Sequence, residues 1–78
     1  MDIWKYKSVG EWYEDAKSKG YLIPLPMCHG LDQLMRKRGL SFQDAYSFLL
    51  DSKKIILVGQ SYIYDLSAQE LIDNKNDP

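Results

Sequence analysis

Cys28 and His29 are each the only residue of their kind in the chain, and they stand side by side. A thiolate nucleophile needs an imidazole brought to it through space, and immediate backbone neighbours do not supply that arrangement. A structural zinc site would have to recruit carboxylates in place of the usual thiolates and imidazoles. The pair therefore reads as a packed thiol beside a surface imidazole at a helix start. Most carboxylates have structural uses. Glu11, Asp44 and Glu70 stand three residues after Ser8, Ser41 and Ser67, the spacing at which a helix start is capped. Asp15 has Lys19 four residues on, and Asp65 falls opposite Lys54 in a hairpin. No carboxylate pair suggests a glycosidase-type dyad. Gly10, Gly20, Gly30, Gly39 and Gly59 match neither the dinucleotide fingerprint nor a phosphate loop. The expectation is a non-enzyme with no cofactor, no metal and no small-molecule substrate.

What remains for function is binding. Six Tyr and two Trp among 78 residues are many, and rings with one polar end suit contact surfaces. Trp4, Lys5, Tyr6 and Lys7 interleave rings with cations as single-strand binders do, although on a strand the rings and the lysines face opposite ways. Arg36, Lys37 and Arg38 form the densest basic run; they complement a helix C-terminus or steer an acidic partner. Residues 21 to 54 carry a net +2 and residues 55 to 78 a net −3, a weak dipole without the concentrated positive field of an autonomous nucleic-acid binder. A single cysteine excludes an internal disulfide, and no apolar run is long enough to span a bilayer. A cytoplasmic setting without a membrane role is the default expectation.

The elements that must position these residues centre on Leu31 to Leu50. Leu31, Leu34 and Met35 share one helical face, the basic trio closes the last turn, and Gly39 stands where a left-handed residue ends a helix. Gly39, Leu40 and Ser41 form the corner. Ser41 with Asp44 starts a second helix whose Phe42, Ala45, Tyr46, Phe48, Leu49 and Leu50 predict the most buried element. Upstream, Ser8 and Glu11 start a helix with Val9, Trp12, Tyr13 and Ala16 on one face, ended by Gly20. Pro24 and Pro26 predict an extended strap from Tyr21 to Gly30 with no helix through it, lying across the core or gripped by a partner. Met1 to Lys7 alternates as a short edge strand would.

Ile55 to Val58 and Tyr62 to Asp65, separated by Gly59-Gln60-Ser61, predict a hairpin. With a type II′ turn at Gly59-Gln60, Leu57 faces Tyr62, Ile56 faces Ile63, Ile55 faces Tyr64 and Lys54 faces Asp65. One side then shows Ile56, Val58 and Ile63, and the other Ile55, Leu57, Tyr62 and Tyr64. Both are apolar, so something must cover one of them. Ser67 and Glu70 start a short helix carrying Leu71 and Ile72, and residues 74 to 78 fray. The fold class is α+β: one domain over residues 1 to 73, a bundle of three helices plus a C-terminal antiparallel hairpin, with a short N-terminal third strand as an option.

Helix, corner, helix and hairpin over residues 31 to 66 resemble the winged helix-turn-helix family of DNA-binding regulators. This chain departs from that pattern at Met35, where a small residue is usual, at Arg38, where an aliphatic one is, and at Ala45, where a bulky aliphatic stands. The resemblance implies Ser41, Gln43 and Ser47 at base edges, with Arg36, Lys37, Arg38, Lys53, Lys54 and Gln60 near the phosphates. The leading expectation is instead a protein-binding module, an adaptor or stoichiometric inhibitor of the kind common among phage and mobile-element accessory proteins. It would dock through Trp4, Tyr6, Tyr62 and Tyr64, with Arg36, Lys37 and Arg38 drawing in a partner's acidic patch, or pair as a homodimer.

Overall fold

The computed structural model describes residues 6–73. In chain order they form α1 (Val9–Ser18), α2 (Leu25–Arg38), α3 (Phe42–Asp51), β1 (Ile55–Val58), β2 (Ser61–Tyr64) and α4 (Ala68–Asp73). The α+β class, the three-helix bundle and the C-terminal hairpin are those the sequence implies. The expected N-terminal strand falls mostly outside the described residues, and Tyr6 and Lys7 belong to no strand.

Local chemistry sets most boundaries. Ser8 caps α1 by accepting from the Glu11 amide, while the Glu11 carboxylate accepts from the Lys7 amide. Ser41 accepts from the Asp44 amide at the start of α3. At the end of α2, Gly39 lies in the left-handed region at φ 65°, and the amides of Gly39 and Leu40 both reach the Met35 carbonyl, closing a Schellman stop. Lys53 plays the corresponding part after α3 at φ 63°, without glycine's freedom.

Two expectations need correction. The segment from Leu25 to Gly30 is not an extended strap: α2 begins at Leu25, with Pro24 as its N-cap and Pro26 inside its first turn. The first amides of a helix have no intrahelical acceptor, so a proline there forfeits nothing and its fixed φ suits the start. Only Tyr21 to Pro24 stays extended, and Leu22 forms a parallel bridge to Ser61. Nor does α3 hold the centre. That place belongs to α2, which packs against α1, α3 and α4 and buries Met27, Leu31 and Leu34 completely. Leu50, expected on the buried face of α3, is 47% exposed.

The core is entirely apolar among the described residues: Val9, Trp12 and Ala16 from α1, the three α2 residues, Phe42, Ala45 and Leu49 from α3, Ile55, Ala68 and Ile72. The box expected at Ser67 and Glu70 does not form. The Glu70 amide bonds the Ser67 carbonyl, Asp65 accepts from the Ser67 amide, and the Ser67 hydroxyl accepts from Lys54 Nζ.

Gly30, which no motif explains, has a packing reason. It is buried in the middle of α2, and a Cβ there would overlap the Tyr64 hydroxyl and stand 3.0 Å from its Cζ. That hydroxyl is itself buried without a hydrogen-bond partner. Overpacking costs about 1–3 kcal/mol, against about 1 kcal/mol gained in helix propensity. Gly30→Ala should therefore lower stability on balance, and Tyr64→Phe, which removes an unsatisfied hydroxyl, should be neutral or slightly favourable. The double variant should recover at least half of the Gly30→Ala loss in urea denaturation. A Gly30→Ala chain as stable as the parent would refute the close approach.

Candidate protein-binding surface

The hairpin pairs as its residues imply: Ile55 with Tyr64, Ile56 with Ile63, Leu57 with Tyr62, and Val58 with Ser61. Gly59 has φ 63° and Gln60 does not join it at positive φ, the pattern of a type II′ turn. The turn is held from outside the hairpin, since Gln60 Nε2 donates to the Lys19 carbonyl and its own carbonyl accepts from Leu22. Paired residues share a face, so the register sorts the side chains into two sets.

The aromatic set points inward. Tyr62 packs edge-on to Trp12 at 5.6 Å and to Tyr46 at 6.3 Å, lies 6.0 Å from Tyr21, and shares a hydroxyl hydrogen bond of 2.8 Å with Tyr46. Tyr64 lies against Gly30 and Ile72 packs beside it, while Ile55 is fully buried. Both tyrosines are half-buried and packed on the core. Tyr62 and Tyr64, expected on an outward docking face, are thus turned toward the chain's own helices. Their rings complete the chain's own core because the α1 and α3 rings offer them aromatic partners that the branched aliphatics opposite could not match.

The outward set is aliphatic. Ile56 is 51% exposed, Val58 58% and Ile63 52%. The bridge to Ser61 places Leu22, at 66% exposure, on the same side. No charged side chain lies between these four, and Lys54 and Asp65 border them at one end. Sequence reasoning missed Leu22 because its place on the sheet depends on a bridge across 39 positions.

The remaining expected residues are spread out. Tyr6 donates to the Asp15 carboxylate at 2.5 Å and lies 5.8 Å from Phe42, and Trp4 is outside the described residues. The basic trio is spent within the chain. Arg36 pairs with Asp32 at 3.0 Å and Lys37 with Asp73 at 2.7 Å, whereas Arg38 donates to the Leu71 carbonyl at 2.6 Å and stacks over Phe48. Of the residues implied for DNA, Ser41 is a cap, Gln43 is exposed, Ser47 is half-buried, Lys54 holds Ser67 and Gln60 holds the end of α1. Lys53 is exposed at its left-handed corner. Cys28 is half-buried, with burial pushing its thiol up, and no group of three or more His, Cys, Asp or Glu among the described residues could hold a metal. No described helix is long and apolar enough to cross a membrane.

The tyrosines carry a pH signature. Burial, then the hydrogen bond to Tyr46, push Tyr62 well above its ordinary value of 10.0. Burial raises Tyr64, and the hydrogen bond to Asp15 raises Tyr6. The unfolded chain releases these protons near the ordinary value while the folded chain retains them. The stability they contribute is thus whole below pH 10 and falls as pH rises beyond it. Urea midpoints from pH 8 to 12 should stay level and then drop, with the tyrosinate signals of Tyr6, Tyr62 and Tyr64 appearing above the ordinary value. Titration of Tyr62 and Tyr64 near the ordinary value would contradict the packing.

No protein-family model, curated protein or solved structure matches this chain.

Proposed function

We propose that this chain works by binding another protein, as an adaptor or stoichiometric inhibitor rather than an enzyme, through the outward face of its sheet. The observation that carries the reading is the alignment of Leu22, Ile56, Val58 and Ile63 on one exposed face without an intervening charge. Scattered exposed aliphatics are ordinary, but a contiguous set on a rigid sheet is the mark of a contact surface. The scaffold supports this use. The turn is tied to α1 at Gln60 and the opposite side is packed with rings, so the aliphatic face is presented with little ordering left to do on binding.

The DNA-binding alternative draws less support. Between Phe42 and Asp51, α3 carries Asp44 and Asp51 and no cation, and its Gln43 and Ser47 would approach phosphates beside those acids. The intramolecular pairing of Arg36, Lys37 and Arg38 likewise leaves little field to steer an acidic partner, so attraction through the apolar face leads.

Ile56→Lys and Ile63→Lys place a charge at the centre of the face while leaving the core untouched. Each should shift unfolding by less than about 1 kcal/mol, because exposed cross-strand pairs contribute no more than that. Cross-linking of the immobilised chain in native extract, with the captured species identified, should yield a defined partner with the parent chain and with Gln43→Ala. Both lysine variants should lose it. A partner retained by both would move the contact elsewhere. Low-micromolar binding to duplex DNA with a steep salt dependence would favour the alternative.

A further inference from the structure

On the inner side of the hairpin, away from the aliphatic face, a cleft of about 250 Å³ opens between α1 and the sheet. Tyr6, Trp12, Tyr21, Tyr46 and Tyr62 line it together with Asp15. We propose that this cleft is a binding site for a quaternary or methylated ammonium group.

Ring geometry is the main reason. Trp12 and Tyr46 meet at 70° with centroids 6.2 Å apart, Trp12 and Tyr62 at 75° and 5.6 Å, and Tyr46 and Tyr62 at 90° and 6.3 Å. Three planes that are steep to one another form the corner of a box. A rounded cation in such a corner meets the negative quadrupole of more than one ring at once, as in the aromatic cages that hold choline and methylated lysine. Trp12, only 5% exposed, is the deep wall. Tyr46 and Tyr62 are locked by their shared hydroxyl hydrogen bond, so the corner is set before a ligand arrives.

Charge and hydrogen bonding narrow the class. Asp15 adds a carboxylate to the lining, and the hydroxyl of Tyr6 already donates to it. The tyrosine hydroxyls of the corner are engaged with each other and with that carboxylate. A bare ammonium can place one N–H on Asp15, as Lys19 does, but meets ring surface on its other sides, whereas a methylated ammonium needs only surface and field. Among the described residues Lys19 is the cation in the lining, 3.1 Å from Asp15, but its side chain is 62% exposed. An exposed i,i+4 pair holds weakly, so Lys19 swings into solvent at small cost when another cation enters. The volume is below that of drug-sized sites and suits one headgroup with a short stem.

The test compares ligands on the unaltered chain. Choline, a short peptide bearing trimethyllysine, and 3,3-dimethylbutan-1-ol, the uncharged isostere of choline, are titrated separately while the Trp12 indole and Ala16 amide resonances are followed. At least one of the cations should give saturable shifts, with the neutral alcohol weaker by about tenfold or more. Asp15→Asn should weaken the cation severalfold and leave the alcohol unchanged. Tighter binding of the peptide would locate the group on a partner's side chain, and tighter binding of choline on a free small molecule. Equal affinity for choline and the alcohol, or no saturable shift with either cation, would overturn the proposal.

Discussion

The contact on which the rest depends is the packing of Tyr62 against Trp12 and Tyr46, backed by Phe42 5.4 Å from Trp12. It joins α1, α3 and the hairpin through rings alone. Edge-to-face pairs add about 0.5–1.5 kcal/mol each beyond the area they bury. Several such pairs meet here in a chain short enough that each is a sizeable share of its stability. The same contact decides orientation. Strand side chains alternate with period two, so once Tyr62 turns inward, Leu57 must lie beside it and Ile56, Val58 and Ile63 must face out. The candidate contact surface follows from the packing of the opposite one.

Charges act locally. Among the described residues none is buried, and the ion pairs at Lys19, Arg36 and Lys37 are exposed. Arg38 is the exception in kind: its stem and guanidinium cover Phe48 while the head closes the α4 backbone at Leu71. That use is packing as much as charge. In the basic run, Lys37 and Arg38 thus act as joints from α2 to α3 and α4, while Arg36 pairs within α2.

What could be read from the sequence were features governed by neighbours in the chain. The caps at Ser8 and Ser41, the Gly39 stop, the three-residue corner and the hairpin register obey rules a few residues wide, and they appear in the fold as those rules require. The strap between α1 and α2 was half legible, because proline removes an amide wherever it stands and the sequence does not show that Pro26 falls where none is needed. The sign of the hairpin was not legible. Both faces are apolar, and alternation tells which residues go together without telling which way they turn. Leu22 joining the outer face and Tyr64 lying over Gly30 are contacts across the whole chain, and no local pattern announces them.

The most direct test of this orientation is methyl NMR on the isolated chain at low concentration, with a soluble paramagnetic reagent added. Broadening should be strong for the methyls of Ile56, Val58 and Ile63 and nearly absent for Ile55. Broadening of Ile55 equal to that of its neighbour Ile56, or the reverse order, would show that the ribbon sits the other way round and that the aliphatic face is not the one offered to a partner.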